Sequence, residues 1–426
     1  MTLFEIGATL LGLSAVFGFI NHYWIKLPHT IGLVLMALAA SAMVILADLM
    51  MPQFGISKTV TDQLNQIDFS ATLMEGMLSL LLFAGAVHVD LEEMAQRKWA
   101  ISIMATFGVV ISTFLVGGIM YYVMQLAGAP IPFIWALVFG SLISPTDPVA
   151  VLGLLKTIKI PPLLKAKIAG ECLFNDGVGV VVFTIMVAIA VGSGGGQGEV
   201  VGVLTVIKLF LGEALGGALL GIIAGYIAYW AMLRIDEHNI EVLITLALVF
   251  VSYAIALRLH LSGPIAFVIA GLFIGNHGAK FAMSKNTREH VFQFWELSDE
   301  ILNSVLFLLI GLEVLVISRD PQYLPIAIAA IPVALLARYV AVAIPIKLLS
   351  VREKFTEGSI AILTWGGLRG GISVALALSL PAGPEKSVIL AATYAVVVFS
   401  IVFQGLTMKR LVGRYSFRGA GVEPND

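Results

Sequence analysis

The chain has 426 residues, of which 59% are apolar and only 12% are charged, and its mean hydropathy is +0.98. A soluble globular domain does not contain so much apolar surface, so the excess is expected to face lipid. The net charge of −2 excludes a strongly basic nucleic-acid-binding protein. Cys172 is the only cysteine, which excludes an intramolecular disulfide and a cluster of thiolate metal ligands.

The apolar runs predict an all-α polytopic membrane protein with about thirteen transmembrane helices of roughly 20 residues each. The predicted spans are residues 3–20, 30–49, 70–89, 99–124, 131–154, 168–191, 205–232, 240–257, 261–276, 298–317, 323–346, 357–380 and 387–407. The N-terminus lacks a basic region and a cleavage site, so the first span is expected to be retained. Residues 277–297 mix basic and aromatic side chains and predict a separate amphipathic helix in the membrane interface.

The distribution of lysine and arginine predicts the orientation. With the C-terminus inside, eighteen of these residues fall on the inner side and five on the outer side. The remaining two, Arg338 and Arg369, lie within spans. Positive charge favours the cytoplasmic side, so we expect a multi-pass protein of the cell (inner) membrane with its N-terminus outside and its C-terminus in the cytoplasm.

Two of the predicted spans are interrupted. The fifth contains Ser144-Pro145-Thr146-Asp147-Pro148, where two prolines remove backbone donors and expose carbonyl groups. The twelfth contains Gly366-Gly367-Leu368-Arg369-Gly370-Gly371, where four glycines loosen the helix around a cation. If the seventh span is a linker, each half has six spans and the second half is inverted relative to the first. The interrupted span is then the fifth in each half. Paired interruptions in inverted repeats are typical of the midplane site of a secondary transporter.

Carboxylates near this predicted site suggest cation and proton exchange. Asp176 is the candidate exchanging acid, because a carboxyl group in lipid is stabilised in its neutral form and, when ionised, is a hard oxygen ligand. It could instead only pair with a neighbouring cation. Asp147 could hold the cation (Na⁺) or cap the broken helix, and Thr146 and Ser144 could complete the ligand shell. Asn175 could bind the ion or hydrogen-bond freed backbone, and we favour the second role.

Glu171 points away from Asp176 on the same helix and therefore needs its own partner. Arg338 is the only arginine inside a span other than Arg369, so a structural ion pair of Glu171 and Arg338 is predicted. Arg369 is expected to offset the negative end of a half-helix, although it could instead repel a second cation.

Three stretches closely resemble the signature motifs of the monovalent cation:proton antiporter family, and in particular its electroneutral sodium/proton exchangers. They are Ser144 to Val151, Glu171 to Gly177 and Trp365 to Gly371, in the same order and spacing. The resemblance implies exchange of one Na⁺ (or Li⁺) for one proton by alternating access, a role in pH homeostasis, and no cofactor. Asp176 would be the exchanging acid, with Asp147 and the Thr146 carbonyl nearby, and Asn175 would bridge to the crossing of helices 5 and 12.

The resemblance also implies a homodimer and a division of the membrane domain. A single transmembrane domain would cover residues 1–420, with a core bundle at about 99–191 and 323–407 and dimerisation helices at about 1–89 and 205–317. Residues 408–426 would form a short cytoplasmic tail. The family usually has serine where this chain has Cys172, and a thiol is a poor ligand for a hard cation. Some relatives carry an acid after the phenylalanine of the third span, where this chain has Phe83-Ala84-Gly85.

Other functions remain as alternatives. Exchange of K⁺ for protons is the second candidate, because ligand hardness alone does not separate the two ions. A cation channel would have repeated pore loops and rings of identical residues, whereas this chain has single acids on two broken helices. No His-Glu-x-x-His or Gly-x-Ser-x-Gly motif is present, which argues against an intramembrane enzyme.

Overall fold

The computed structural model describes residues 3–51, 61, 77–95, 98–147, 151, 162–194, 203–315, 321–350 and 358–415, and within them every regular element is a helix. The main helices are α1 (Leu3–Ile20), α2 (His29–Met50), α3 (Leu78–Val87), α4 (Val109–Leu126), α5 (Phe133–Ile143), α6 (Pro162–Gly194), α7 (Val203–Met232), α8 (His238–Leu259), α9 (Gly263–Phe273), α10 (Lys285–Leu312), α11 (Leu324–Leu349), α12 (Ser359–Trp365), α13 (Gly371–Leu378), α14 (Pro384–Phe399) and α15 (Gly405–Val412). The predicted all-α class is confirmed.

Nine helices in the described part of the chain are long and apolar enough to cross a membrane, and α3 and α5 are shorter apolar helices. The protein is therefore a multi-pass membrane protein. Each predicted span overlaps a helix, and the count of thirteen stays a prediction. Residues 70–76, 148–150, 152–154, 316–317 and 357 of the predicted spans lie outside the described residues.

The prediction of a separate interfacial helix at residues 277–297 is wrong. Residues 285–297 are the first half of α10, a continuous helix of 28 residues that begins after the Ser284 cap and ends in the predicted tenth span. Val291 and Trp295 are buried on its inner face, and the Trp295 ring packs at a tilt against Phe83 with 4.7 Å between centroids. Charged residues on the outer face mimic an interfacial pattern, but the apolar face packs against protein rather than lipid.

Small residues bring α4 and α5 close together. A Cβ atom on Gly140 of α5 would lie 2.2 Å from the Thr113 carbonyl oxygen of α4, and one on Gly117 would lie 2.9 Å from the Ala136 carbonyl oxygen. Such backbone approach is the usual way in which helices pack in a membrane, where no hydrophobic force drives them together. The contact holds α5 firmly just before its interruption.

Buried apolar side chains form two clusters. The larger joins α1 and α2 to α4–α6, the second half of α10 and α11–α15, with Leu81 of α3. The smaller joins α3, α6–α9 and the first half of α10. The predicted division into core bundle and dimerisation helices stays a prediction, and α1 and α2 share the larger cluster with the predicted core. The last helix continues to Val412, five residues beyond the predicted thirteenth span.

Candidate functional site

Both predicted interruptions are present. Helix α5 ends at Ile143 and is followed by a bend at Ser144 and Pro145 and by non-helical Thr146 and Asp147. Proline in mid-membrane removes a backbone donor, so carbonyl groups in the preceding turn are left without helical partners. Residues 366–370 likewise separate α12 from α13. Both interruptions are irregular backbone that is buried within the protein.

The two interruptions are in direct contact. The Asp147 N–H donates a hydrogen bond of 2.8 Å to the Leu368 carbonyl oxygen, and the Ser373 hydroxyl donates one of 2.8 Å to the Leu142 carbonyl oxygen. Each segment therefore satisfies polar groups that the other has exposed, which is required of irregular backbone at membrane depth. The predicted meeting of the fifth and twelfth spans is confirmed.

Gly370 lies against the carboxylate of Asp147. A Cβ atom at this position would lie only 1.4 Å from Asp147 Oδ2 and 2.7 Å from its Cβ. The backbone of Gly370 is extended (φ −135°, ψ −153°), so any residue could adopt it, and the need for glycine is steric. The side chain of Asp147 is consequently held where only a glycine backbone can face it.

We expect Gly370→Ala to abolish the cation and proton exchange that the sequence predicts, because the added methyl group must displace the Asp147 carboxylate or separate the two interruptions. Gly118→Ala is the matched control, since no atom lies within 4 Å of a Cβ at Gly118 on α4. Both variants are measured for dissipation of a pH gradient in proteoliposomes and for monodisperse elution in detergent. Normal transport by Gly370→Ala would contradict the close approach.

Thr146 links the fifth span to α6. Its N–H donates to Asn175 Oδ1 at 3.2 Å, the Asn175 amide donates to Thr146 Oγ1 at 2.7 Å, and the Thr146 hydroxyl donates to Cys172 Sγ at 3.2 Å. The predicted hydrogen bond from Asn175 to freed backbone is therefore present. Cys172 Sγ accepts the hydrogen bond of the Thr146 hydroxyl, and the carbonyl oxygen of Thr146 is then the group available to an ion.

Asp176 follows Asn175 on α6 and is 2% exposed. Its Oδ2 atom has no hydrogen-bond partner among the described residues. The charges that act on this carboxyl group come from Asp147 and from Arg369, one negative and one positive. A buried acid with an unsatisfied oxygen is costly unless it binds a proton or a cation, so this atom is the strongest candidate for an ion-binding group.

Glu171 and Arg338 form an ion pair, as predicted. Glu171 is completely buried and Arg338 is 6% exposed. Arg338 also donates to the Leu363 carbonyl oxygen from Nε at 3.3 Å and from Nη2 at 3.1 Å. One arginine of α11 therefore holds α6 and the last turn of α12 together, and it supports the site from the side opposite Asp176.

Arg369 lies within the second interruption. Its Nη1 atom donates to the Gly367 carbonyl oxygen at 3.0 Å, just beyond the end of α12, as the half-helix argument predicted. Its backbone N–H donates to Ser400 Oγ at 2.9 Å. Its Nε atom is buried and has no partner in the described part of the chain. The guanidinium thus compensates a helix end, and its Nε donor remains unused among the described residues.

Several contributors were missed by the sequence analysis. Ser400 and Gln404 were overlooked, although polar residues in the apolar thirteenth span are a usable signal, and Gln404 donates to the Trp365 carbonyl oxygen at 2.9 Å. The Leu363 carbonyl carries no side-chain signal. Ser144 donates to the Gly140 carbonyl oxygen at 2.6 Å, so its proton is used within its own helix. Among the described residues no group of three or more His, Cys, Asp or Glu could hold a metal ion.

Comparison with known families identifies the family to which the chain belongs. The family described as sodium/hydrogen exchanger, transmembrane, matches residues 11–414, which is nearly the whole chain. The chain belongs to the sodium/hydrogen exchanger family. The members of this family are transporters, as predicted.

Relatives of the exchanger family are similar over most of their length. The chain is 46% identical over 415 residues to a Pseudomonas aeruginosa protein named Na⁺/H⁺ antiporter NhaP, with 96% of each chain covered. It is 35% identical over 350 residues to the Na⁺/H⁺ antiporter NhaH of Halobacillus dabanensis, covering 81% of this chain and 83% of that protein.

A solved exchanger structure has the same fold. The sodium proton antiporter MjNhaP1 from Methanocaldococcus jannaschii matches with a TM-score of 0.72 over 99% of each chain, at 16% sequence identity. At this level of identity the likeness concerns the fold. It agrees with the arrangement of helices described above.

Proposed function

We propose that this exchanger carries Na⁺ or Li⁺ in one direction and protons in the other by alternating access around Asp176. The observation that carries the proposal is the buried Asp176 carboxylate, whose Oδ2 atom has no hydrogen-bond partner among the described residues. The names of the relatives from Pseudomonas and Halobacillus, both Na⁺/H⁺ antiporters, support the choice of ions.

The chemistry follows from one group with two mutually exclusive states. Protonated, Asp176 is neutral and stable in its buried surroundings; ionised, it offers a hard oxygen to a dehydrated cation. Asp147 and the Thr146 carbonyl are the other oxygen donors of the interrupted span. Because proton and cation compete for the same carboxylate, the loaded site carries the same charge in both states, and this favours one-for-one electroneutral exchange.

Asn175, Glu171, Arg338 and Arg369 support the site rather than bind the ion. Asn175 is neutral and already bonded to Thr146 through both of its polar groups. Glu171 and Arg338 neutralise each other, and Arg369 is bonded to the Gly367 carbonyl. Asp176 therefore remains as the one exchanging acid in this proposal, which supports electroneutral exchange.

Exchange of K⁺ for protons is the second candidate, and the sulfur of Cys172 favours it. This atom lies beside Thr146, where the family usually supplies a hydroxyl oxygen. Loss of one hard ligand weakens the preference for the smaller, more strongly hydrated Na⁺.

Proteoliposomes with an imposed pH gradient test both candidates. We expect Na⁺ and Li⁺ to dissipate the gradient, choline to leave it intact, and an imposed membrane potential to leave the rate unchanged. If no alkali cation dissipates the gradient, exchange is wrong. A rate with K⁺ equal to or above that with Na⁺ would favour the second candidate, and a rate that follows the potential would exclude one-for-one stoichiometry.

We also propose that the protein is a homodimer of the inner membrane, with its N-terminus outside and its C-terminus in the cytoplasm, and that it serves pH homeostasis. The excess of basic residues on the inner loops supports the orientation. Chemical crosslinking in native membranes tests the dimer, and protease access to the C-terminus in inside-out vesicles tests the orientation.

A further inference from the structure

Helix α10 carries a buried polar residue that the proposed exchange mechanism does not use. Asn303 is 4% exposed, and its Oδ1 atom is buried without a hydrogen-bond partner among the described residues. An amide oxygen at this depth costs free energy unless it bonds to something. One turn before it on the same helix lies Asp299, a half-buried acid.

This face of α10 points at the second interruption. The side chain of Leu306 packs on Gly371, where a Cβ atom would lie 2.4 Å from Leu306 Cδ1. At 100° per residue, Asp299 is about 20° and Asn303 about 60° from Leu306 around the helix axis. Gly371 adjoins Gly370, which faces the Asp147 carboxylate. Asp299 and Asn303 therefore lie on the side of α10 whose Leu306 packs on Gly371.

Other faces of α10 have different partners. Gly311 packs against Ala37 of α2, and Ser304 hydrogen-bonds His29 at 2.8 Å. Both residues lie about 80° or more from Asn303 around the axis. The contact with α2 therefore does not account for the buried amide.

Asp299 and Asn303 also lie at different heights along α10. With a rise of about 1.5 Å per residue, Asn303 lies about 4.5 Å and Asp299 about 10.5 Å from the level of Leu306, both toward the Lys285 end. The lysine and arginine distribution assigns that end to the inner side. Asp299 and Asn303 thus lie at two different depths between the inner membrane surface and the level of the interruptions.

We propose that Asp299 and Asn303 form a relay site for the transported monovalent cation on the inner side of Asp176. The proposal rests on the exchange function proposed above. The Asp299 carboxylate attracts the hydrated cation, and the Asn303 carbonyl oxygen replaces part of its water shell before it reaches Asp176. Both groups offer hard oxygen, which suits Na⁺ and Li⁺. Their role is to raise cation occupancy and not to exchange the proton.

Kinetics on each membrane face test the relay. For Asp299→Asn we expect the KM for Na⁺ at the inner face to rise about threefold to tenfold, with the maximal rate and the outer KM unchanged. Inside-out and right-side-out vesicles present the two faces. Glu300→Gln is the matched control, because it removes the same charge from the next residue, which is exposed, and should leave both constants unchanged.

Asn303 provides a second, independent variant. Asn303→Leu keeps the size of the side chain and removes its oxygen, so the inner KM for Na⁺ should rise, whereas Asn303→Asp should keep it at or below the wild-type value. Monodisperse elution shows that each variant is folded. If wild type exchanges Na⁺ but Asp299→Asn and Asn303→Leu keep its inner KM, the relay alone is wrong. If wild type exchanges no cation, both proposals fail.

Discussion

Asp176→Asn is expected to reduce cation-driven proton movement in proteoliposomes to the rate of protein-free liposomes. Asparagine has nearly the same shape as aspartate, but it can neither release a proton near neutral pH nor offer a charged oxygen to a cation. Asp176 is 2% exposed, so solvent cannot take the place of its carboxylate. Because the buried charge is removed, the folded protein should be no less stable than wild type.

Competition between protons and Na⁺ for the Asp176 carboxylate gives a second measurement. In wild type the KM for Na⁺ should rise as the pH falls, because protons occupy the same carboxylate, while the maximal rate at saturating Na⁺ stays constant. Asp236→Asn, which removes an exposed acid from the loop before α8, is the matched control and should exchange normally. Full exchange by Asp176→Asn would exclude this residue as the coupling acid, and a KM independent of pH would exclude competition.

The second large effect is expected from Arg338→Ala. Glu171 is completely buried, and removal of its partner leaves an uncompensated charge, which costs about 3–5 kcal/mol in buried ion pairs. The Leu363 carbonyl loses two donated hydrogen bonds as well. We expect a much lower thermal midpoint in detergent and little folded protein in membranes.

Two further variants test whether the loss of stability comes from the unpaired Glu171 charge or only from the loss of the Arg338 side chain. The double variant Glu171→Gln with Arg338→Met removes both charges and should recover much of the thermal stability, because the cost comes from the unpaired carboxylate. Lys280→Ala breaks the exposed pair with Glu92, whose atoms lie 3.4 Å apart, and should leave the midpoint unchanged. A midpoint for Arg338→Ala equal to that of Lys280→Ala would show that the buried pair does not stabilise the fold.

Much of the candidate site could be predicted because each signal resides in single residues. A carboxylate in an apolar run is expensive, so Asp176 and Glu171 stand out without any structure. With two internal arginines in the chain, elimination pairs Glu171 with Arg338. Pro145 and the glycines at 366–371 break their helices by local chemistry alone. The composition likewise determines an all-helical membrane protein.

Prediction from the sequence fails where the role of a residue depends on which surface its side chain contacts in the folded protein. Residues 285–297 have the pattern of an interfacial helix, and only packing against Phe83 and Thr245 shows that Trp295 faces protein. Asn303 and Asp299 carry no motif, so their relation to the interruptions depends on the contact of Leu306 with Gly371.

The sequence by itself determined the lipid environment, the two helix breaks and the buried charges, because desolvation cost and backbone preference are properties of each residue. The tertiary structure alone decided which backbone groups meet. The bonds of Asp147 to Leu368 and of Arg338 to Leu363, and the close approach of Gly370 to Asp147, join residues far apart in the chain. Backbone groups are chemically alike at nearly every position, so only their distances in the folded protein select the partners.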